Sequence, residues 1–300
     1  MPREQRIRVD VDGRSLELSN LDKVLYPAVG FTKAEVINYY TRVAPVLLPH
    51  LRGRALTRKR YPNGVDGQSF FEKNKPQGTP VWVHVETLPV PGSTMDRETI
   101  DFVVADDLPT LVWLANLAAL ELHTPQWRVG QEPDLMVVDL DPGAPAGLRE
   151  CCAVAVQMRD RLARDGLAAY PKTSGKKGMQ LSCPIAGTQP ADDVSAYAKR
   201  IAEELERASP RSITSKMAKR LRPGKVFIDW SQNNAAKTTV SPYSLRAQPQ
   251  PTVSTPLTWA EVEAGGARAF TSDEVLERID EHGDLLEDLL RQGPALPMST

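Results

Sequence analysis

Apolar positions along the chain recur with two different periods, and the switches between them predict the elements. RSLELSN (residues 14–20) alternates apolar and polar residues as a strand does. From Thr32, a helix N-cap by residue type, Val36, Tyr39, Tyr40, Val43 and Leu47 recur at helical spacing. Strand-like runs follow at Ala55 to Lys59 and Val81 to Val85, and Thr99 to Val104 completes a hairpin after a VPGST turn. Leu111, Leu114, Ala115, Ala118 and Leu122 predict one helix over Asp107 to Leu122.

The second half is more regular. It reads as a strand (Leu135 to Leu140), a helix closed by Gly166 (Leu148 to Asp165) and a strand (Leu167 to Thr173). A strand (Met179 to Ile185), a helix (Asp192 to Ala208) and a strand (Val226 to Trp230) follow. This βαββαβ order is the split βαβ or ferredoxin-like arrangement, in which the first and last strands are sheet neighbours. After Ser244, Pro249, Pro251 and Pro256 among Gln, Thr and Ser predict an extended wrap or linker. Val275, Leu276, Ile279, Leu286 and Leu289 then predict a docking helix over Ser272 to Leu290. The expected class is α+β, one 300-residue domain in three parts: 1–130, the βαββαβ part 131–247, and a C-terminal wrap and helix 248–300.

Composition adds little beyond globularity, with 41% hydrophobic and 25% charged residues. Lys and Arg total 37 against 38 Asp and Glu, so basic surfaces must be sought in local clusters such as Arg52 to Arg60, Lys172 to Lys177 and Lys216 to Lys225. Cys151, Cys152 and Cys183 have no zinc-type spacing and read as reduced thiols. The charged start MPREQRIRVDVDG lacks an apolar core, and no run approaches the ~18 apolar residues of a membrane span. A cytoplasmic protein, neither exported nor embedded in a membrane, is expected.

The chemistry centres on LMVVDLDPG (residues 135–143). Residues two apart on a strand share a face, so Asp139 and Asp141 project side by side, and Asp229 falls on the neighbouring strand. Adjacent carboxylates repel, and a divalent metal is the commonest reason to keep them together. A strand running into a solvated Pro-Gly turn has the same pattern. Two chemistries compete. A haloacid-dehalogenase type of phosphatase would use the first Asp as nucleophile, although Pro142 and Gly143 stand where that motif wants Gly and Thr. A nucleotidyl transferase would use three carboxylates to bind two metals and a triphosphate.

Phosphate-binding groups accompany the aspartates. KTSGKKGMQ (residues 172–180) joins two strands by a turn with two glycines, a serine and lysines; it is not a Walker A loop, and a plain basic hairpin has the same composition. Lys219, Arg220, Arg222 and Lys225 precede Asp229, and Arg246 lies in SPYSLR. ELHTPQWR places His123, Gln126, Trp127 and Arg128 after a helical pattern. In RKRYPNGVDGQSFFEK, Arg58, Lys59 and Arg60 stand near Phe70 and Phe71, a combination that stacks single-stranded bases or anchors a long loop in the core.

These stretches together resemble the polymerase domain of bacterial DNA ligase D, in the archaeo-eukaryotic primase superfamily. The likeness runs through LDKVLYP, TRKRYPNGVDGQSFFEK, ALELHTPQW, VVDLDPG, TSGKKGMQL, KVFIDWSQN and KTTVSPYSLR, nearly the whole chain. The resemblance implies a primase-like fold: a βαββαβ catalytic subdomain packed on an N-terminal α/β subdomain. It implies template-dependent nucleotide addition, ribonucleotides preferred, at DNA gaps or ends with a 5′-phosphate, and two divalent cations, Mn²⁺ or Mg²⁺. Asp139, Asp141 and Asp229 resemble the metal ligands, and Ser174 and Lys177 the triphosphate-binding pair. Lys59, Arg222 and Arg246 fall in the nucleotide site, with His123 and Gln232 near the sugar or phosphates. Lys23 and Lys33 resemble 5′-phosphate ligands, and Phe70 and Phe71 template-facing aromatics.

The likeness has departures. Gln180 stands where the family pattern SGSKGLH has His, so the group expected at the incoming nucleotide cannot become cationic. The connection from Trp127 to Leu135 is shorter than the usual insert. No ligase or nuclease motif follows, so the expectation is either a stand-alone relative or an excised domain; the natural-looking start and end favour the former, acting with a DNA ligase, and with Ku, in trans. A non-catalytic DNA-end binder and a phosphatase are the competing expectations.

Overall fold

The βαββαβ run closes into a five-stranded sheet ordered Tyr170–Thr173, Met179–Pro184, Leu135–Pro142, Val226–Asp229, Ile213–Thr214. Pairing is antiparallel except for the parallel edge strand Ile213–Thr214. The first and last strands of the predicted unit are therefore neighbours, as the split βαβ order requires. Helices Leu148–Ala163 and Ala191–Ala208 bury Val154, Ala155, Met158 and Leu162 from one, and Val194, Tyr197, Ile201 and Leu205 from the other. The structure, a computed structural model, describes residues 6–90 and 98–297; the turn expected at VPGST lies largely outside them.

A six-stranded sheet runs Thr239–Val240, Ala119–Thr124, Ala55–Arg60, Thr99–Val104, Val85–Pro89, with Phe70–Glu72 also paired to Ala55–Arg60. The predicted helix covers Lys33–Leu51, opened by a capping box in which Thr32 N–H donates to the Glu35 carboxylate at 2.6 Å. Its buried tyrosines tie it outward: the Tyr40 hydroxyl donates to Leu120 O at 2.6 Å, and Tyr39 to Tyr243 O at 2.8 Å. Burial drives this packing, while the hydroxyls keep two polar groups satisfied inside it.

Four expectations are corrected. The helix expected over 107–122 ends at Asn116; Ala118 takes a left-handed φ of 56°, and Ala119–Thr124 is a strand. Leu120 and Leu122 are buried on one face of that strand, a period of two that the helical spacing concealed until partners stood on both sides. Val81 is fully exposed, and the strand begins only at Val85. The proline-bearing tail is no linker: Pro251–Val253 is a buried strand between Leu245–Ala247 and Phe270–Thr271. The terminal helix stops at His282, where Gly283 turns to a φ of 66°, and a short 3₁₀ turn covers Glu287–Leu290. The three cysteines are buried and unpaired. Among the described residues no helix is long and apolar enough to cross a membrane.

Past the terminal helix the chain is pinned by one carboxylate. Asp284 meets His50 Nε2 at 2.8 Å, and accepts from the Tyr243 hydroxyl at 2.6 Å and from Leu286 N–H at 2.9 Å. Burial pushes its carboxyl up, but His50 and Tyr243 more than offset this and hold it below the ordinary range. A depressed folded-state value stabilises above the unfolded carboxylate range and ceases to do so as pH falls through it. Asp284→Ala is expected to cost about 3 kcal/mol at neutral pH, because it strands buried partners. In urea unfolding the gap between parent and variant should narrow below about pH 4; a gap constant from neutral to acid would show that charge plays no part.

Candidate functional site

The sheet ladder builds the site by register. Asp139 lies directly opposite Gln180 on one side and Asp229 on the other, and Gln180 lies opposite Lys172. Directly opposed residues share a face, so Lys172, Gln180, Asp139 and Asp229 form one row across four strands. Asp141 follows two positions along the same face as Asp139. Burial, then Asp141 and Asp229, push the Asp139 carboxyl well above the ordinary range, against Lys172 and a hydrogen bond from Gln180. Burial and Asp229 raise Asp141 too, opposed by Arg222. Burial, aided by Arg246, lowers Lys172 to about 7, while Asp139 pulls the other way.

Close backbone approaches explain the Pro-Gly after the aspartates and a glycine of the basic turn. A Cβ on Gly143 would stand 2.1 Å from Arg222 O, where Gly143 N–H donates to Lys225 O at 2.8 Å. A larger residue would therefore push away the 216–225 segment that leads to Asp229. Gly175 has a φ of 68°, and its missing Cβ leaves room for Val253 O, 2.6 Å from that position. The Ser174 hydroxyl accepts from Gly178 N–H at 3.2 Å and so organises the turn that presents Lys176 and Lys177.

A cleft of about 370 Å³ opens over the row, with Asp139, Asp141, Gln180 and Gln232 on one part of its lining. His123, Ser174, Lys176, Lys177 and Arg246 line another part. Behind that wall sits a residue the sequence did not single out, Glu121. Its carboxylate meets His123 Nε2 at 3.1 Å, Lys176 Nζ at 3.3 Å and Arg246 Nε at 3.5 Å, and accepts from Ala247 N–H at 3.1 Å. Burial would raise Glu121, but His123, Arg246 and Lys176 more than offset that and hold it far below the ordinary carboxylate range. Burial lowers His123, against the pull of Glu121. The clue to Glu121 was period two in ALELHT, where Glu121 and His123 share the face opposite Leu120 and Leu122.

Other expected site residues stand outside the cleft lining. Asp229 accepts from Ser231 N–H at 3.0 Å and from Gln232 Nε2 at 2.8 Å. Arg222 lies 3.7 Å over the Phe227 ring and donates to Met217 O at 2.8 Å. Lys59 sits over Tyr61, 5.2 Å from the ring centre. Phe70 and Phe71 are 40% and 57% exposed, and the Phe71 ring meets His123 edge-on at 5.8 Å. Both are surface aromatics, Phe71 beside the cleft, and neither is a core anchor. Lys33 N–H donates to Lys23 O at 2.8 Å, so the two lysines are neighbours, but their ammonium groups differ. Lys23 is exposed and reaches Asn63 Oδ1 at 3.1 Å, whereas Lys33 is buried on Ser19 O at 2.5 Å.

The donor set fits hard divalent cations. Asp139 and Asp141, held above their ordinary range by burial and by neighbouring carboxylates, are relieved by such an ion, and carboxylate oxygens are its preferred ligands. Among the described residues no three acidic, histidine or cysteine side chains already converge on one point; Asp229 is turned to Ser231 and Gln232.

The family model for the LigD primase-polymerase domain matches residues 32–286. The chain is 44% identical over 298 residues to the multifunctional non-homologous end joining protein LigD of Mycolicibacterium smegmatis, covering 98% of this chain and 37% of that protein. It is 34% identical over 287 residues to the bifunctional non-homologous end joining protein LigD of Bacillus subtilis, covering 95% of this chain and 46% of that one. It thus spans less than half the length of these curated relatives. The solved polymerase domain of Mycobacterium tuberculosis ligase D, in complex with DNA, superposes with a TM-score of 0.87 at 44% identity, covering 92% of this chain and 98% of that one. The α+β architecture is therefore that of the ligase D polymerase domain, and the chain belongs to the LigD primase-polymerase domain family.

Proposed function

We propose that this chain is a template-dependent nucleotidyl transferase of bacterial DNA repair. It adds nucleotides, ribonucleotides in preference, to a DNA 3′-hydroxyl at short gaps or ends bearing a 5′-phosphate. The observation that carries this reading is the pairing of an acidic row, Asp139 and Asp229 with Asp141 beside them, with a cleft wall of Lys176, Lys177 and Arg246. That combination suits a ligand that is both polyanionic and metal-chelating, which a nucleoside triphosphate is and a phosphomonoester is to a lesser degree. Family membership supports the same choice over a phosphatase.

Asp139, Asp141 and Asp229 would hold two divalent cations, Mn²⁺ or Mg²⁺. When bound, such ions neutralise triphosphate charge and lower the pKa of an attacking hydroxyl. The chain's own groups do the rest. Ser174, Lys176, Lys177 and Arg246 bind phosphate oxygens, and Glu121 keeps Arg246 and Lys176 from dispersing under mutual repulsion. His123 and Gln232 flank the nucleotide, with Lys59 and Arg222 at its margins, and Gln180, expected beside the nucleotide, lies across the lining next to Asp139. Phe70 and Phe71 offer exposed rings on which template bases stack. Lys23 supplies the exposed ammonium for a 5′-phosphate, and Lys33 anchors the segment that carries it. The working partners are gapped DNA and NTPs, with a DNA ligase and Ku acting in trans on the cytoplasmic nucleoid.

Extension of a labelled primer across a short 5′-phosphorylated gap tests the reading, with NTPs or dNTPs and Mn²⁺ or Mg²⁺. Templated addition is expected, and Asp139→Ala should abolish it while gap binding is kept. Addition that survives in Asp139→Ala would sink the acidic row as the reacting centre, and tight gap binding without addition by the parent would mark a DNA-end clamp. Lys23→Ala should shrink the preference for a phosphorylated over an unphosphorylated gap, compared in competition binding. The same preference in variant and parent would remove Lys23 from the 5′-phosphate contact.

A further inference from the structure

Lys172 is the cation most deeply committed to the acidic row, yet it faces no solvent. It is 3% exposed, and its ammonium spends its three N–H groups on Gln180 Oε1 at 2.5 Å, Ser254 Oγ at 2.7 Å and Val240 O at 3.0 Å. An ammonium only donates, so its contact with Gln180 Oε1 orients the amide. The amide nitrogen is left for the next residue of the row, the cross-strand partner Asp139, whose carboxyl Gln180 lowers. Gln180 is itself 4% exposed. Both residues lie on paired strands, and the other two acceptors for Lys172, Val240 O and Ser254 Oγ, come from outside this sheet and hold the ammonium beside the amide.

We propose that Lys172 and Gln180 are positioning residues for Asp139: the ammonium orients the amide, and the amide fixes the carboxylate that holds a divalent cation. This deepens the nucleotidyl-transfer reading and rests on it. It also changes the role of Gln180, whose hydrogen-bonding capacity is committed to the acidic row in place of the incoming nucleotide. Groups standing behind metal ligands in this way set ligand direction, and their loss weakens metal binding even though they never touch the ion.

Two variants test it. Gln180→Met keeps length and shape and removes the amide; Lys172→Met keeps the packed stem and removes the ammonium. Mn²⁺ alone is titrated by calorimetry into the nucleotide-free chain, and the nucleotide KM is measured separately at saturating Mn²⁺. The expected result is Mn²⁺ binding weakened about tenfold or more in both variants, with KM within about twofold of the parent. Unchanged Mn²⁺ binding in both overturns the proposal. So does a raised KM with unchanged Mn²⁺ binding in Gln180→Met, which would make Gln180 a nucleotide contact. If Lys172→Met does not fold, Gln180→Met decides alone. A parent chain that binds no Mn²⁺ and adds no nucleotide would overturn the nucleotidyl-transfer reading itself, a failure separate from one confined to the variants.

Discussion

Mutual repulsion among carboxylates on two adjacent strands is the constraint around which this molecule is organised. Asp139 and Asp229 are direct cross-strand partners, an arrangement that destabilises a sheet when both are charged. The fold accommodates it by surrounding the row with cationic and donor groups drawn from distant parts of the chain. Lys172 ends the row, the charge of Arg222 eases Asp141, and Ser231 and Gln232 hydrogen-bond Asp229. The C-terminal strands, which look dispensable for a βαββαβ sheet, supply Ser254 to Lys172 and the carbonyl that fits against Gly175.

The opposite wall inverts the same logic. There Lys176, Arg246 and His123 crowd together, and one buried carboxylate, Glu121, makes that crowding tolerable. A buried charge left unpaired is costly, whereas these groups share a counter-ion and keep open faces toward the cleft. Each cluster is thus held close to its limit by like charges and relieved by few partners of the other sign. Such sites respond strongly to an incoming ion of the right charge, because binding removes repulsion as well as adding attraction.

Much of this was legible in the sequence, for reasons that are local. An apolar run ending in two alternating aspartates declares both the strand and the shared face, and helix–strand alternation over 135–230 declares the sheet order. What stayed hidden depends on long-range pairing. ALELHT fits helical and strand periods alike, and only Ala55–Arg60 and Thr239–Val240 on either side decide between them. For that reason Glu121 went unread while His123 next to it was noticed. The proline-bearing tail read as an extended wrap or linker because prolines mask the strand Pro251–Val253, and one of its two partners, Phe270–Thr271, lies far along the chain. Lys33 stood beside Lys23 as a 5′-phosphate ligand by resemblance, and no sequence pattern shows that lysine folding back onto the Ser19 carbonyl.

The two-residue strand Thr239–Val240 has a mechanical meaning. It belongs to the six-stranded sheet, pairing with His123 and Thr124, yet Val240 O accepts from Lys172 of the five-stranded sheet. One peptide unit therefore belongs to both halves of the cleft at its base. The two sheets act as a single frame there, and prising them apart would break a buried hydrogen bond to an ammonium before it widened the opening. With His123 contributed by one sheet and Asp139, Asp141 and Gln180 by the other, the spacing between the two parts of the cleft lining is set by this shared strand.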